Sequence, residues 1–322
     1  MKPDNYCTHA GYFLLVLFCY LQLTSCQWKS LSAEATQDGA EAGKDSVSFL
    51  VVGDWGKQGG EYQKQVAEAM NRCGLRHRTS FIISTGDNFY PSGVRDTADA
   101  HWQSSFEKIY DGEGHQVDWY AVLGNHDYEG NPQAQLAYSI RGRRWRMPSR
   151  YYALRKEIDA GSAILFLFTD TSPLIEDYHD RGMADLSKQD TAAQLSWLRQ
   201  TLAASKDKWK IVIGHHPIYS AGAHGNTLDL IHRLKPAISG GGTDFYLSGH
   251  DHSLQYLARR KERMAYLVSG GGSESTPLRP HFYSRFARSS PGFLVMTLYA
   301  HKANFYFYDN EGLLLYRGQV IK

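Results

Sequence analysis

The chain has 322 residues, a formal net charge of +2 and 42% hydrophobic residues, enough for one large domain or two small ones with a substantial core. So small a charge gives no electrostatic case for nucleic acid or a membrane surface as partner. With 21 Tyr, 14 Phe and 7 Trp, the composition excludes disorder outside a short N-terminal stretch.

Residues 1–26 read as an export signal. Lys2 precedes the apolar segment Tyr12 to Leu23, which is short of the roughly 20 residues that span a bilayer. Leu23-Thr24-Ser25-Cys26 resembles the lipobox of bacterial lipoproteins, whose cysteine is lipidated and begins the mature chain. The expected location is the periplasm or cell surface if Cys26 is lipidated, with membrane attachment through it, and secretion if an ordinary signal is cleaved nearby. Cys7 and Cys19 would leave with the signal, so only Cys26 and Cys73 remain and the fold does not rest on disulfides. Residues 27–46 are polar and alanine-rich with Gly39 and Gly43, as a flexible linker should be.

From Val47 onward strands and helices alternate. The pattern predicts a strand over Val47 to Val52, a helix over Glu61 to Asn71 with Val66, Ala69 and Met70 inward, and a strand over Phe81 to Ser84. Helix Ala98 to Tyr110 and strands Trp119 to Leu123 and Ala163 to Phe168 follow. Asp190 can cap a helix running to Ala204, with Leu195, Leu198 and Leu202 on one face. Then come strand Ile211 to Ile213, helix Leu228 to Leu234 and strand Phe245 to Leu247. Leu257 to Val268 reads as a hairpin turning at Arg259 to Glu262, and antiparallel strands over 293–299, 304–308 and 313–320 close the chain. This order suggests an α/β sandwich with mixed sheets, one domain over residues 47–322.

Five of the predicted strands end alike: an apolar run, a glycine, then a potential metal ligand. They are Val52-Gly53-Asp54, Thr85-Gly86-Asp87, Leu123-Gly124-Asn125, Ile213-Gly214-His215 and Ser248-Gly249-His250. Glycine lets the chain turn sharply and approach a site closely, and ligands of open α/β sheets gather beyond the carboxyl ends of strands. Any one pair is an ordinary turn dipeptide; five in sequence point to one metal-lined crevice. In Gly249-His250-Asp251-His252 the histidines lie two apart, so an extended chain turns both to one side and Asp251 to the other. In Gly214-His215-His216 either histidine can serve; the residue after the glycine is His215, which leaves His216 facing away. Asp87 and Tyr90 share one loop, Gly86-Asp87-Asn88-Phe89-Tyr90, where a carboxylate and a phenol can both meet a hard metal ion.

Together with Gly124-Asn125-His126-Asp127, these motifs resemble the purple acid phosphatases of the calcineurin-like metallophosphoesterase superfamily, in particular the small, tartrate-resistant type. The resemblance runs from Val47 to Lys322. It implies the superfamily's four-layer αββα sandwich, two mixed β-sheets flanked by helices. It further implies Fe(III) held by Asp54, Asp87, Tyr90 and His252, and a divalent Fe(II), Zn(II) or Mn(II) held by Asp87, Asn125, His215 and His250. A free phenol ionises only near pH ~10, so phenolate ligation at neutral pH needs a strongly charged metal. The implied reaction is hydrolysis of phosphomonoesters at acidic pH, by attack of metal-bound hydroxide at two metals about 3.5–4 Å apart. His126, which Asp127 could orient, and His224 are the candidate catalytic histidines facing substrate.

Other readings compete. If Tyr90 merely packs, the chain is a di-zinc or di-manganese phosphodiesterase. If the site is inactive, it is a surface lipoprotein that binds phosphate or a partner, although all seven ligands and His126 are present. Segment Thr171 to Gln189, with Glu176, Asp177, Asp180 and Asp185, resembles the family's regulatory loop; the alternative is a solvated connection. The disulfide that animal members carry near the site has no cysteines here. Arg141, Arg143, Arg144, Arg146 and Arg150 read as a solvated basic turn, with steering of phosphorylated substrates as the alternative.

Overall fold

The computed structural model describes residues 45–60, 62–180, 183 and 185–322. The expected export signal and almost all of the linker lie outside these residues. Among the described residues, fourteen strands form two seven-stranded sheets. In the first, β1 (Val47–Val52), β2 (Phe81–Ser84), β3 (Asp118–Ala121) and β4 (Trp145–Arg146) run parallel. Beyond β1, the strands β12 (Gly292–Leu298), β13 (Lys302–Asp309) and β14 (Leu314–Ile321) continue it antiparallel.

The second sheet has a parallel centre of β6 (Ser162–Phe168), β7 (Trp209–Ile213), β8 (Phe245–Ser248) and β10 (Ala265–Ser269). The antiparallel β5 (Tyr152–Asp159) flanks β6, and β9 (Leu254–Ala258) followed by β11 (Ser284–Arg288) flanks β10.

The period-two side-chain alternation of a strand decides what each sheet faces. In β6, Ile164, Phe166 and Phe168 join the core between the sheets, whereas Leu165 and Leu167 join a second cluster. Phe166 meets Phe49 of β1 and Phe81 of β2 edge-on, with ring centroids 5.3 and 5.5 Å apart. On the outer face, Leu165, Val212 and Tyr246 pack under α5 (Thr191–Ala204), α6 (Leu228–His232) and α7 (Leu234–Ser239). On the far side of the first sheet, α1 (Gln63–His77) buries Val66, Ala69 and Met70. Both sheets are covered on two faces, which is why their central strands read as unbroken apolar runs. The expected four-layer sandwich is present.

Several boundaries differ from the sequence reading, each with a local cause. Helix α1 continues past Gly74 to His77, where Arg78 in the left-handed conformation caps it. Cys73 is therefore inside a buried helical face, and burial raises its thiol to about 11. The expected helix over 98–110 is a single wide π-helical turn, Trp102–Glu107, with Trp102 stacked 3.5 Å from Tyr138. The helix expected over 228–234 is two, because Pro236 has no N–H to donate to the His232 carbonyl. Asp190 does cap α5, accepting from the Ala193 N–H at 2.8 Å. The arginine run is not simply a solvated turn. Buried Arg144 binds the Tyr110 and His115 carbonyls and, at 2.8 Å, Glu107; Arg146 pairs with Asp118 at 3.0 Å; Arg150 donates to Tyr128 at 2.8 Å and pairs with Asp185.

Candidate metal centre

The five glycine-ligand pairs sit just beyond the ends of β1, β2, β3, β7 and β8. Because these strands are parallel within their sheets, their carboxyl ends meet along one crevice. Asp54, Asp87 and His250 have φ of 62°, 50° and 67°, left-handed values that cost a non-glycine residue about 1–2 kcal/mol each. Cross-links between motifs hold the strain. The His126 N–H donates to Asp87 Oδ1 at 2.8 Å, and the His250 N–H to Asp54 Oδ2 at 2.9 Å. Two glycines are required by space: a methyl on Gly124 would overlap Asp87 Oδ1, and one on Gly249 would overlap Asp54 Oδ2.

The seven candidate ligands come together. Tyr90 Oη lies 3.1 Å from Asp87 Oδ2, 3.2 Å from Asp54 Oδ1 and 3.1 Å from His252 Nε2. His215 Nε2 lies 3.3 Å from Asp87 Oδ2, 3.1 Å from Asn125 Oδ1 and 3.2 Å from His250 Nδ1. Asp87 thus touches both groups. The outer contacts orient the rings: His215 Nδ1 bonds the Thr85 carbonyl at 2.9 Å, and His252 Nδ1 is paired with the Glu274 carboxylate at 2.8 Å. Each leaves Nε2 for the crevice.

The electrostatics call for a cation. Burial opposes the charge of Asp87, yet His215, His126 and His250 hold its carboxyl well below the usual range. Burial opposes charge on His215 too, but Asp87, Asp54 and the Thr85 carbonyl raise it to about 9. Burial raises the Tyr90 phenol, as do Asp87 and Asp54. Two carboxylates, a phenol and imidazole nitrogens converge here. Two ligand clusters, Asp54-Asp87-His215 and His215-His216-His250, have their donor atoms within 4.8 Å of one another.

Two sequence readings need correction. Asp127 does not orient His126. Its carboxylate accepts from Gly124 N at 2.9 Å, Asn88 Nδ2 at 3.1 Å and Gln135 Nε2 at 2.7 Å, tying the Asp87 loop to the first turn of α2 (Asn125–Tyr128) and to α3 (Pro132–Arg141). His126 Nδ1 is held instead by the Pro91 carbonyl at 2.5 Å. Nor does His216 face away. Its ring lies 4.5 Å from that of His250, with Nδ1 2.9 Å from Thr171 Oγ1 and Nε2 2.9 Å from Tyr178 Oη. Both nitrogens are engaged, and burial together with His250 and His215 keeps the ring neutral. Asp251 does turn aside, accepting from the His224 N–H at 2.9 Å. His224 itself is exposed, its ring 4.2 Å from that of His250.

Thr171 and Tyr178 belong to the acidic segment 171–189, which therefore reaches the site from its buried end, Thr171 to Ile175. Glu274 escaped the sequence reading, although it ends a further glycine-rich strand exit, Ser269-Gly270-Gly271-Gly272-Ser273-Glu274. The signal was the same strand-glycine pattern, with the polar residue displaced by extra glycines.

Comparison with known proteins decides the family. The calcineurin-like phosphoesterase family model matches residues 47–254. Purple acid phosphatase 4 of Arabidopsis thaliana is 37% identical over 96% of this chain and 93% of its own length. The chain belongs to the purple acid phosphatases. Tartrate-resistant acid phosphatase type 5 of Mus musculus is 36% identical over 73% of this chain and 75% of its own. Among solved structures, GAP50, the anchor in the inner membrane complex of Plasmodium, matches with a TM-score of 0.77 at 27% identity, covering 87% of this chain and 90% of that one. As a purple acid phosphatase the chain is a metal-dependent phosphomonoester hydrolase, and its relatives imply a dinuclear metal centre. Its residues fit such a centre: the converging lone pairs need positive charge, and Asp87 is placed to be shared.

Proposed function

We propose that Asp54, Asp87, Tyr90 and His252 hold Fe(III), and that Asp87, Asn125, His215 and His250 hold Fe(II), Zn(II) or Mn(II). The observation that carries this is Tyr90 Oη, within 3.2 Å of both carboxylates and of His252 Nε2. Two carboxylates and a phenolate suit a hard trivalent ion; imidazoles and an amide suit a divalent one. When bound, the metal pair supplies an activated water and neutralises the phosphoryl oxygens.

The chain's own residues do the rest. Asp87, fixed by the His126 N–H, keeps the two half-sites in register. His126, with Nδ1 occupied by Pro91, has Nε2 left for the leaving oxygen or a phosphoryl oxygen. His224 stands at the mouth, its backbone pinned by Asp251, and meets the incoming ester. Activity is greatest at acidic pH, as the names of the acid phosphatase relatives imply. Residues 47–322 are the catalytic domain, 27–46 the linker and 1–26 the export signal, with Cys26 the lipidation point; among the described residues no helix is long and apolar enough to cross a membrane.

The test is metal analysis, a visible spectrum and a phosphomonoester assay on one purified sample. Iron together with a tyrosinate charge-transfer band is expected. A fully active sample carrying only zinc or manganese would overturn the ferric assignment. Loss of membrane partitioning in Cys26→Ser is expected of a lipidated chain, and unchanged partitioning would remove the anchor.

A further inference from the structure

Strand β10 runs out through Gly270-Gly271-Gly272 and lays residues 273–276 along the wall beside Tyr90. Four bonds fix this stretch: Gly272 N to Gly53 O at 3.0 Å, Ser273 Oγ to Asp54 O at 2.6 Å, Tyr62 N to Ser273 O at 2.9 Å and Thr276 N to His252 O at 2.8 Å. Between them Glu274 reaches inward. Its Oε1 is 2.8 Å from His252 Nδ1, and its Oε2 is 2.7 Å from Lys57 Nζ. Lys57 Nζ in turn lies 5.1 Å from the centre of the Tyr90 ring. Lys57, Glu274, His252 and Tyr90 make a closed loop of contacts on one side of the crevice.

We propose that Glu274, braced by Lys57, is a positioning residue that fixes His252 and sets how firmly the tyrosine half of the centre holds its ion. This rests on the assignment of Asp54, Tyr90 and His252 to one ion. An imidazole whose Nδ1 is paired with a carboxylate is held in orientation, and its other nitrogen becomes a stronger donor. That other nitrogen, Nε2, is the atom 3.1 Å from Tyr90 Oη and 3.5 Å from Asp54 Oδ1. Lys57 holds the carboxylate from behind. The Lys57 and Glu274 side chains are 22% and 31% exposed, so the pair is largely shielded from solvent. Its consequence lies in metal retention.

The experiment compares wild type, Glu274→Gln and Glu274→Ala as full-length metal-loaded enzymes. Three readouts are taken: the rate of metal loss to a chelator, the visible spectrum and the unfolding temperature. Glu274→Ala is expected to lose metal from this half 10–100-fold faster and to shift the absorption band, with little change in unfolding temperature. Glu274→Gln, which keeps the side chain's shape but not its charge, is expected to fall between. Wild-type retention and spectrum in Glu274→Ala would overturn the proposal. Should wild type contain no iron and no band, the ferric assignment fails, and the chelator rates still decide the role of Glu274. A Glu274→Ala sample that fails to fold leaves the decision to Glu274→Gln, where wild-type retention again overturns the proposal.

Discussion

The hydroxyl of Tyr90 lies 3.1 Å from Asp87 Oδ2, although the two residues are only three apart on one loop. The left-handed backbone of Asp87, φ 50°, turns the chain so that carboxylate and phenol meet instead of diverging. Burial and the two carboxylates keep the phenol protonated until a strongly charged ion displaces the proton. Tyr90→Phe should therefore lose the visible absorption and shed iron at least about tenfold faster, while the fold is kept. A spectrum and metal analysis of the same sample check this; an unchanged band would mean that another side chain is the chromophore.

Gly124 packs against Asp87 so closely that no side chain fits. Gly124→Ala should displace Asp87 Oδ1, the atom that accepts from His126 N. We expect a stability loss of about 1–3 kcal/mol from overpacking. The effect on chemistry should be larger, a fall in kcat/KM of roughly 100-fold or more, since a misplacement of 1 Å at a catalytic centre is costly. Unfolding temperature and steady-state kinetics separate the two; normal kinetics would mean that the loop accommodates the methyl.

Neither His126 nor His224 belongs to the proposed ligand set, so both can be removed without emptying the metal sites. The double variant His126→Ala, His224→Ala should keep its metal and lose about 10²- to 10⁴-fold in kcat. An unchanged rate would remove both residues from proton transfer.

Asp170 lies two residues beyond β6, at the entrance to segment 171–189, with Tyr128 and Arg150 beside it. Burial raises its carboxyl to about 7, against the lowering effects of Tyr128 and Arg150. A folded value above the unfolded one means that its stabilising contribution is complete below about pH 4 and is lost as pH rises through about 7. Linkage puts this loss on the order of 2–4 kcal/mol. Asp170→Asn should therefore lose less stability than wild type between pH 4 and 8, as followed by thermal unfolding. Parallel curves would show that Asp170 ionises in the fold as easily as in the unfolded chain.

Much of the site was legible because strand ends advertise themselves locally. A buried strand needs an apolar run, and a ligand that must face another loop at close range needs a glycine before it. Asp54, Asp87, Asn125, His215 and His250 each carry that local mark. The central strands and the capped helix α5 were legible for the same reason, since their periodicity is set within a few residues. The C-terminal hairpins announced themselves by alternation and turn chemistry. Strand β5, with its alternating exposed charges, and the two-residue β4 were missed because neither makes an apolar run.

What the sequence by itself determined is the proposed donor set: seven candidate oxygen and nitrogen ligands of suitable hardness, in order, each beyond a strand. Only the tertiary structure decided how those donors are held. Asp127 bonds Asn88 and Gln135 and not His126; His216 is enclosed by Thr171 and Tyr178; Glu274 reaches back to His252 and Lys57. Such contacts leave no periodic or spacing signal, because a side-chain hydrogen bond depends on where two distant backbones cross. The chemistry of Gly86-Asp87-Asn88-Phe89-Tyr90 was written in the chain, and its geometry came from the loops that close over it.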